Sequence, residues 1–295
     1  MDARSHPARL RVGVVGAGRV GAVLGAALRR AGHEIAGVYA VSAASRDRAA
    51  DLLPGVPVVD LPTAVAGMDL VLLAVPDDVL GDLVAGLAAT NTWEAGQLVA
   101  HTSGRDGVAV LEPVRAAYAL PLALHPAMTF TGTAMDLERL ADCVFGVTAP
   151  EGLRELAMAL VLDMGGTPVW IAEEMRVTYH AALAHGANHL VTLIAQAMEV
   201  LAAAGVEHPD RALGPLVRAA LDNALRLRDA ALTGPVARGD VGTVERHLAA
   251  LEALAPQVKD TYVALARATA VRALDSGRLR PAAAEPLLAT LAEES

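Results

Sequence analysis

The stretch RVGVVGAGRVGAVLGAAL, residues 11–28, constrains the fold more than any other part of the chain. A short β-rich run meets Gly16-x-Gly18-x-x-Gly21, and a helical stretch from Val20 to Ala31 follows. In that setting each glycine has its own physical use. Gly16 permits the tight turn, Gly18 lets a phosphate approach the backbone, and Gly21 lets the helix pack on the sheet. The helix start, with Arg19 and Val20 in its first turn, offers unpaired amides and the positive end of the helix dipole to an anion. The spacing alone is weak evidence, because a glycine-rich strand–helix turn also exists without a ligand. Its position between strand and helix is what favours a bound dinucleotide.

The rest of the first half alternates. EIAGVYAV (34–41), VPVVD (56–60), DLVLLAVP (69–76), QLVAHTS (97–103) and LPLALHP (120–126) read as strands, with helix-like segments between most of them. Unbroken apolarity in LVLLAV fits a strand covered on both faces. Strands spaced by helices predict a parallel sheet with right-handed crossovers. CVFGVTA (143–149), the helical EGLRELAMALVLDMGG and TPVWIA (167–172) read as one further unit closing this domain. Beyond Ala172 the strand signals stop, and 173–204, 208–232, 240–252 and 255–275 read as helices. The expected architecture is α/β: a disordered tail over 1–10, a Rossmann-like doubly wound parallel sheet over 11–172, and an all-α domain over 173–295.

Composition narrows the classes of function. The chain of 295 residues is 54% hydrophobic but only 3% aromatic, so its core must be built from Ala, Val and Leu. No apolar run reaches the ~18 residues of a membrane span, and the opening MDARSHPARLR lacks the apolar centre of a signal peptide. The one cysteine, Cys143, has no partner for an internal disulfide and fits a reducing cytoplasm. A net charge of -9 argues against a general nucleic-acid partner, which needs clustered cations. Of the 24 basic residues only Lys259 is a lysine, so Schiff-base or ammonium chemistry is open to one position. A cytoplasmic protein acting on a small molecule is expected.

The second strand favours NADP over NAD. NAD readers place Asp or Glu near its end to hold the ribose 2′-hydroxyl. Here the segment is VYAVSAASR, and Ser42, Ser45 and Arg46 are candidates for a 2′-phosphate; the ordinary alternative is a capping Ser45 and a solvated Arg46. AVPDD (74–78) ends a strand that faces the cofactor in such sheets, so Val75 and Pro76 are candidate walls for its ribose, with Asp77 as a helix cap.

Two polar strand ends stand where doubly wound sheets hold their ligands. HTSGRDG (101–107) supplies Ser103, and ALHPAMTFTG (123–132) supplies His125 and Thr129. Histidine suits proton donation because its pKa lies near working pH. The ordinary alternatives are a serine turn and a structural histidine. YHAALAHGANHLVTLIAQ (179–196) is an oily helix carrying His185, His189, Thr192 and Gln196 on one stripe, with Asn188 beside it. Such a stripe lines a wet cleft, lies on a surface, or meets a partner subunit. His185 and His189 have metal-compatible spacing but no adjacent carboxylate, so no metal is expected. In LTGPVARGD (232–240), Thr233 and Arg238 stand between helices, and an arginine there either clamps a carboxylate or is solvated.

The glycine turn, AVPDD, HTSG, LHPAMTF, YHAALAHGANHLV and LTGPVARGD together resemble the proteins that pair a Rossmann-like domain with a DUF2520 domain. That family looks like a branch of the 6-phosphogluconate dehydrogenase-like reductases, among them ketopantoate, pyrroline-5-carboxylate and β-hydroxyacid enzymes and prephenate dehydrogenase. The resemblance implies an NAD(P)-dependent oxidoreductase whose helical domain forms a homodimer. Ketopantoate reductases carry a Lys-x-x-x-Asn pair on the first interdomain helix; Asn188 matches the asparagine, but Ala184 stands at the lysine position. Ser103 and His125-Pro126 are similar to the serine and His-Pro of prephenate dehydrogenases. The implied roles are His125 as proton donor, with His185 as the runner-up, and Ser103 and Asn188 orienting a carbonyl. Arg238, Thr233, His189 and Thr129 hold a carboxylate-bearing substrate. The alternatives are cyclic-imine reduction and a non-catalytic NADP(H) sensor.

Overall fold

The computed structural model describes residues 9–292, and most of the expected 1–10 tail lies outside them. Leu10 is already held, its amide donating to His33 Nδ1 and its carbonyl accepting from Glu34. The described chain forms two compact units that divide between His185 and Gly186. The division falls later than the expected boundary after Ala172.

The first unit is built on β1 (Arg11–Val15), β2 (Glu34–Tyr39), β3 (Leu70–Leu73), β4 (Leu98–His101), β5 (Leu120–Pro126), β6 (Val144–Thr148) and β7 (Thr167–Trp170). They form one seven-stranded sheet in the order β2-β1-β3-β4-β5-β6-β7. Side chains alternate between its faces. Val12, Val14, Leu70, Leu72, Leu98, Ala100, Leu122 and Leu124 enter one core, whereas Val15, Val71, Leu73 and Val99 enter the other. Both faces of the central strands are therefore dry, which accounts for their unbroken apolar runs.

The helices of this unit are α1 (Arg19–Arg30), α2 (Ala43–Leu52), α3 (Leu61–Val65), α4 (Asp77–Ala89), α5 (Glu112–Ala116), α6 (Met135–Arg139), α7 (Arg154–Asp163) and α8 (Arg176–Leu183). Every residue of α1 from Gly21 to Leu28 is buried. Small side chains let it lie close to the sheet without bulky aromatics.

Three expectations are corrected. VPVVD forms no strand among the seven: Val58 makes an isolated bridge to Val38, and Asp60 then caps α3 through Thr63. Pro76, not Asp77, is the N-cap of α4; Asp77 is its first helical residue, facing Arg105 at 3.8 Å. The sheet is mostly parallel, but β6 runs antiparallel to β5, with His125 opposite Gly146. After Pro126 the chain turns back at once, the Ala127 amide bonding the Val144 carbonyl at 2.8 Å. The intervening segment holds only the short α6 and makes no crossover along the sheet. Asp136 on α6 instead gathers the amides of Thr131 and Gly132 and orders the loop at the ligand edge.

The second unit is helical: α9 (His189–Ala203), α10 (Pro209–Leu227), α11 (Gly234–Arg238), α12 (Val241–Leu254), α13 (Pro256–Asp275) and α14 (Pro281–Ala292). Its core comes from α11 to α14, through residues such as Val244, Leu248, Val263, Ala270, Leu287 and Leu291. No residue of α9 or α10 is buried; Val191 is 69% exposed and Leu225 76%. LTGPVARGD is not wholly a loop, since α11 starts at Gly234 with Pro235 in its first turn and ends at Gly239, where φ is +73°. Among the described residues, no helix is long and apolar enough to cross a membrane, and no group of three or more His, Cys, Asp or Glu stands together as a metal site.

Close backbone packing makes a prediction. A Cβ at Gly13 of β1 would stand 1.8 Å from the Ala64 carbonyl oxygen of α3, whereas one at Gly86 of α4 meets nothing within 4 Å. Gly13→Ala is expected to destabilise the protein by about 2 kcal/mol or more. Gly86→Ala, in an exposed helix interior, is expected to stabilise it by about 0.5–1 kcal/mol. Chemical denaturation of the two variants checks both signs.

Candidate functional site

At the glycine turn the geometry separates the three glycines. Gly16 has φ +99°, and a Cβ there would stand 2.5 Å from the Ala74 carbonyl oxygen. A Cβ at Gly21 would meet the Gly16 carbonyl oxygen at 2.0 Å and the Ala74 Cβ at 2.8 Å. Gly18 is different: it is the N-cap of α1, and a Cβ on it would enter open space. Two glycines thus close the turn, and the third leaves room above the amino end of a twelve-residue helix. This is the cradle that a pyrophosphate needs. Arg19 is exposed in the first turn, and Val20 packs partly on the core. Val75 reaches Gly16 from the turn after β3, with Pro76 exposed behind it.

The segment after β2 distributes its polar groups unequally. Ser42 is the N-cap of α2, its Oγ accepting from the Ser45 amide. Ser45 is buried and donates its hydroxyl to the Ser42 carbonyl, so it serves the cap and does not present a donor outward. Arg46 is exposed and donates to the Val41 carbonyl. Arg48 donates to the Ala17 carbonyl at 3.4 Å and lies against Gly132 of the loop after β5. Its position on the same helix as Arg46 was the available signal.

The carboxyl ends of β4 and β5 bring a second group together. His101 is fully buried; Nε2–H donates to the Gly107 carbonyl at 2.8 Å, and Nδ1 accepts from the Ser103 amide at 3.2 Å. Ser103 is also buried, and its hydroxyl donates to Asp106 at 2.9 Å while accepting from the Asp106 amide. The serine-turn alternative therefore describes its hydroxyl, in place of the carbonyl-orienting role. Gly104 follows, so close to His125 and His180 that a Cβ would stand 2.6 Å from His180 Cδ2 and 2.9 Å from His125 Nε2.

His125 is half-buried, and its Nδ1 lies 2.9 Å from the Tyr179 hydroxyl. Its ring meets those of Tyr179 and His180 edge-on, with centroids 5.6 and 5.9 Å apart. Burial, and then the charge of Arg176, push it down to about 4. At neutral pH the ring is uncharged, which corrects the expectation of a histidine titrating near working pH. Since phenol is a natural donor, Nδ1 is assigned as the acceptor and Nε2 as the protonated nitrogen. Thr129 is exposed on the loop after β5.

Arg176 opens α8 and is only 1% exposed. Its guanidinium donates to the Thr148 hydroxyl at 2.8 Å, the Ala123 and Gly146 carbonyls at 3.0 Å and the Ser103 carbonyl at 3.4 Å. Tyr179 and Arg176 were not singled out from sequence; EEMRVTYH reads as an ordinary helix start, and neither side chain's partners are near in the chain.

The polar stripe is broken. Ala184–Asn188 is a π turn, which adds a residue to the helical repeat and rotates His185 out of phase with α9. His185, Asn188 and His189 are exposed, and the last two belong to the second unit. Gln196 turns into that unit, donating to Thr261 at 3.2 Å. There Thr233 and Arg238 border a groove of about 440 Å³ together with Arg278.

Buried histidines make acid stability a test. Burial pushes His101 down from 6.5 to about 4. Between those values the unfolded chain takes up a proton that the folded protein refuses, so stability is full above pH 6.5 and falls as the pH drops toward 4. The loss attributable to His101 is about 3 kcal/mol. Urea midpoints at pH 7 and pH 5 should diverge less in His101→Gln than in the wild type; equal slopes would overturn the assignment.

Comparison with known proteins follows the two parts of the chain. A Rossmann-like domain model matches residues 1–126, and the model of a domain of unknown function, DUF2520, matches 143–269. Among curated proteins no sequence match is found. A Bacteroides fragilis protein provisionally described as an NADP oxidoreductase is similar in structure at 21% identity and TM-score 0.73, over 89% of this chain and 98% of its own. An imine reductase from Myxococcus stipitatus in complex with NADP+ is similar at 20% identity and TM-score 0.64, over 90% and 95%. A pyrroline-5-carboxylate reductase from Coxiella burnetii is similar at 17% identity and TM-score 0.55, over 90% and 98%. At such identities the likeness establishes a shared fold. The chain thus joins a Rossmann-like domain to a DUF2520 domain, with the antiparallel turn after β5 lying between the two matched regions.

Proposed function

We propose that this protein is an NADP-dependent oxidoreductase that transfers hydride to or from a small carboxylate-bearing carbonyl compound, of which a ketopantoate-like 2-keto acid is an example. The observation that carries the reading is the open position at Gly18, above the start of α1, in a turn that Gly16 and Gly21 close. NADP, when bound, supplies the hydride donor or acceptor at nicotinamide C4. The residues present fit it: the amides at Arg19, Val20 and Gly21 would hold the pyrophosphate, Val75 and Pro76 would wall the ribose, and Ser42, Arg46 and Arg48 would receive a 2′-phosphate. His125 then stands at the strand end where substrate belongs, with Tyr179 behind it.

Within the second unit, Arg238 is proposed to hold a carboxylate in bidentate fashion, in the groove that it borders with Thr233 and Arg278. The exposed apolar side chains of α9 and α10 support a homodimer through the helical unit, because such faces are normally covered. A cytoplasmic location fits the buried, unpaired Cys143.

Imine reduction is the second reading. A neutral His125 suffices for it, since an iminium needs no proton from the site, and the reductases of imines and of pyrroline-5-carboxylate share this fold.

The test is direct. The protein is expected to bind NADPH more tightly than NADH, by the change in dihydronicotinamide fluorescence, and to oxidise it with a 2-keto acid in preference to a cyclic imine. Gly18→Ala should weaken NADPH about tenfold or more, by filling the space a phosphate needs, and Arg48→Ala should narrow the preference for NADPH over NADH. Folded protein that binds neither dinucleotide would end the proposal. In light scattering, Leu225→Glu is expected to convert a dimer to a monomer; a wild-type monomer would remove the dimer reading alone.

A further inference from the structure

Tyr179 reaches His125 only because the sheet is notched for it. In the antiparallel register of β5 and β6, Gly146 stands opposite His125, and a Cβ on Gly146 would lie 2.6 Å from the Tyr179 hydroxyl oxygen. Any larger residue there would displace the phenol. One turn earlier on α8, Arg176 fixes the helix to the same strands through the Ala123 and Gly146 carbonyls and the Thr148 hydroxyl. The result is a phenol held 2.9 Å from Nδ1 of an imidazole. The other ring nitrogen, Nε2, has no hydrogen-bond partner among the described residues and faces Gly104.

We propose that Tyr179 is the proton reserve of this site, passing its proton to Nδ1 of His125 as Nε2 gives its own proton to the oxygen of the carbonyl under reduction. The inference rests on the oxidoreductase reading for its reaction and on the Tyr179–His125–Gly104 geometry for its path.

The step balances. Bound NADPH would supply the hydride for the new C–H bond and be oxidised as the carbonyl is reduced, the carbonyl π pair moving to oxygen. The Nε2–H bond breaks as the substrate O–H forms; the Tyr179 O–H bond breaks as Nδ1–H forms. The ring is neutral before and after, with its proton exchanged from one nitrogen to the other. The tyrosinate left behind then recovers its proton from Nδ1 as Nε2 takes one from water, which restores the starting tautomer. The transfer runs downhill because an alkoxide is a far stronger base than a phenolate. Tyr179 acts through His125, so it is a positioning and relay residue, while His125 is the group that meets substrate.

The electrostatics agree with a relay in place of an imidazolium acid. Arg176, Tyr179 and His180 face His125 from α8 and His101 faces it from β4, and no carboxylate among the causes of its shift offsets their effect. Burial raises the Tyr179 phenol, and the Arg176 charge opposes that rise. The same cation therefore keeps the ring neutral and favours a transient tyrosinate. Carbonyl reduction should accordingly show no limb near the ordinary histidine pKa, and should fall only at high pH as the phenol ionises.

The experiment uses the full-length protein in two measurements. Side-chain nitrogen NMR of wild type near pH 7 is expected to show His125 as the Nε2–H tautomer, with Nδ1 an acceptor; Tyr179→Phe, which keeps the ring against Gly146, should lose the acceptor shift at Nδ1. Steady-state reduction of the best carbonyl substrate found should drop about 100-fold in kcat in Tyr179→Phe. KM should change little, and the high-pH limb should disappear. A proton on Nδ1 in the wild type would overturn the relay, and so would an unchanged kcat and pH profile in Tyr179→Phe; in the second case the oxidoreductase reading stands. If the wild type shows the expected nitrogen pattern yet reduces no carbonyl, the reaction itself is refuted and the relay falls with it.

Discussion

A single buried guanidinium holds the working end of the first unit together. Arg176 has no carboxylate within ion-pair distance among the described residues; carbonyls and a hydroxyl from β5, β6 and the turn after β4 accept its protons instead. Burying a cation this way is costly unless its donors are satisfied, and arginine meets the need because its planar fork reaches several acceptors at once. Lysine could shed its proton under the same burial, while arginine stays charged. The arrangement also depends on the chain reversing after β5. Only an antiparallel β6 puts Gly146 opposite His125, and Thr148 opposite Ala123, under one helix.

That dependence explains what could be read in the sequence and what could not. The glycine turn, α1 and the central strands were legible because their signals are local: a spacing of glycines, and apolar runs dry on both faces. The antiparallel strand was not, because CVFGVTA has the same apolar character in either direction and only the brevity of α6 decides the outcome. VPVVD carries strand composition, yet its chain leaves the sheet after Val58 to start α3 at Asp60. The histidine-bearing helix was legible as a helix, but its stripe assumed an unbroken repeat. The π turn at Ala184–Asn188 shifts that repeat by a residue, and nothing in its composition announces it.

The candidate site divides along the same line. Gly16, Gly18 and Gly21 act through backbone geometry that their own sequence specifies. His125 was visible as a polar residue at the end of an apolar strand. Ser103 was visible too, but its hydroxyl is committed to Asp106, a partner only three residues away. Tyr179 lies 54 residues from the histidine it contacts, so only the fold brings them together. Arg48 reaches the glycine turn by the same kind of long-range approach.

The missing lysine at position 184 takes on a definite meaning in this setting. A related reductase with lysine there would have an ammonium group combining two tasks, holding positive charge near the developing alkoxide and delivering a proton to it. This chain separates them. Fixed charge sits on Arg176, which cannot give up a proton at working pH. The mobile proton must then come from another group, and a neutral imidazole alone is too weak an acid to supply it without being replenished. Under the proposed relay its Nδ1 contact with a phenol would provide the replenishment, and the nearby guanidinium would lower the cost of the phenolate that results. Such a division suits a substrate that develops alkoxide charge on oxygen, and gives little advantage to one that accepts hydride as a preformed cation. Under the proposed relay, the arrangement that stands in for the lysine would therefore favour a carbonyl over an iminium.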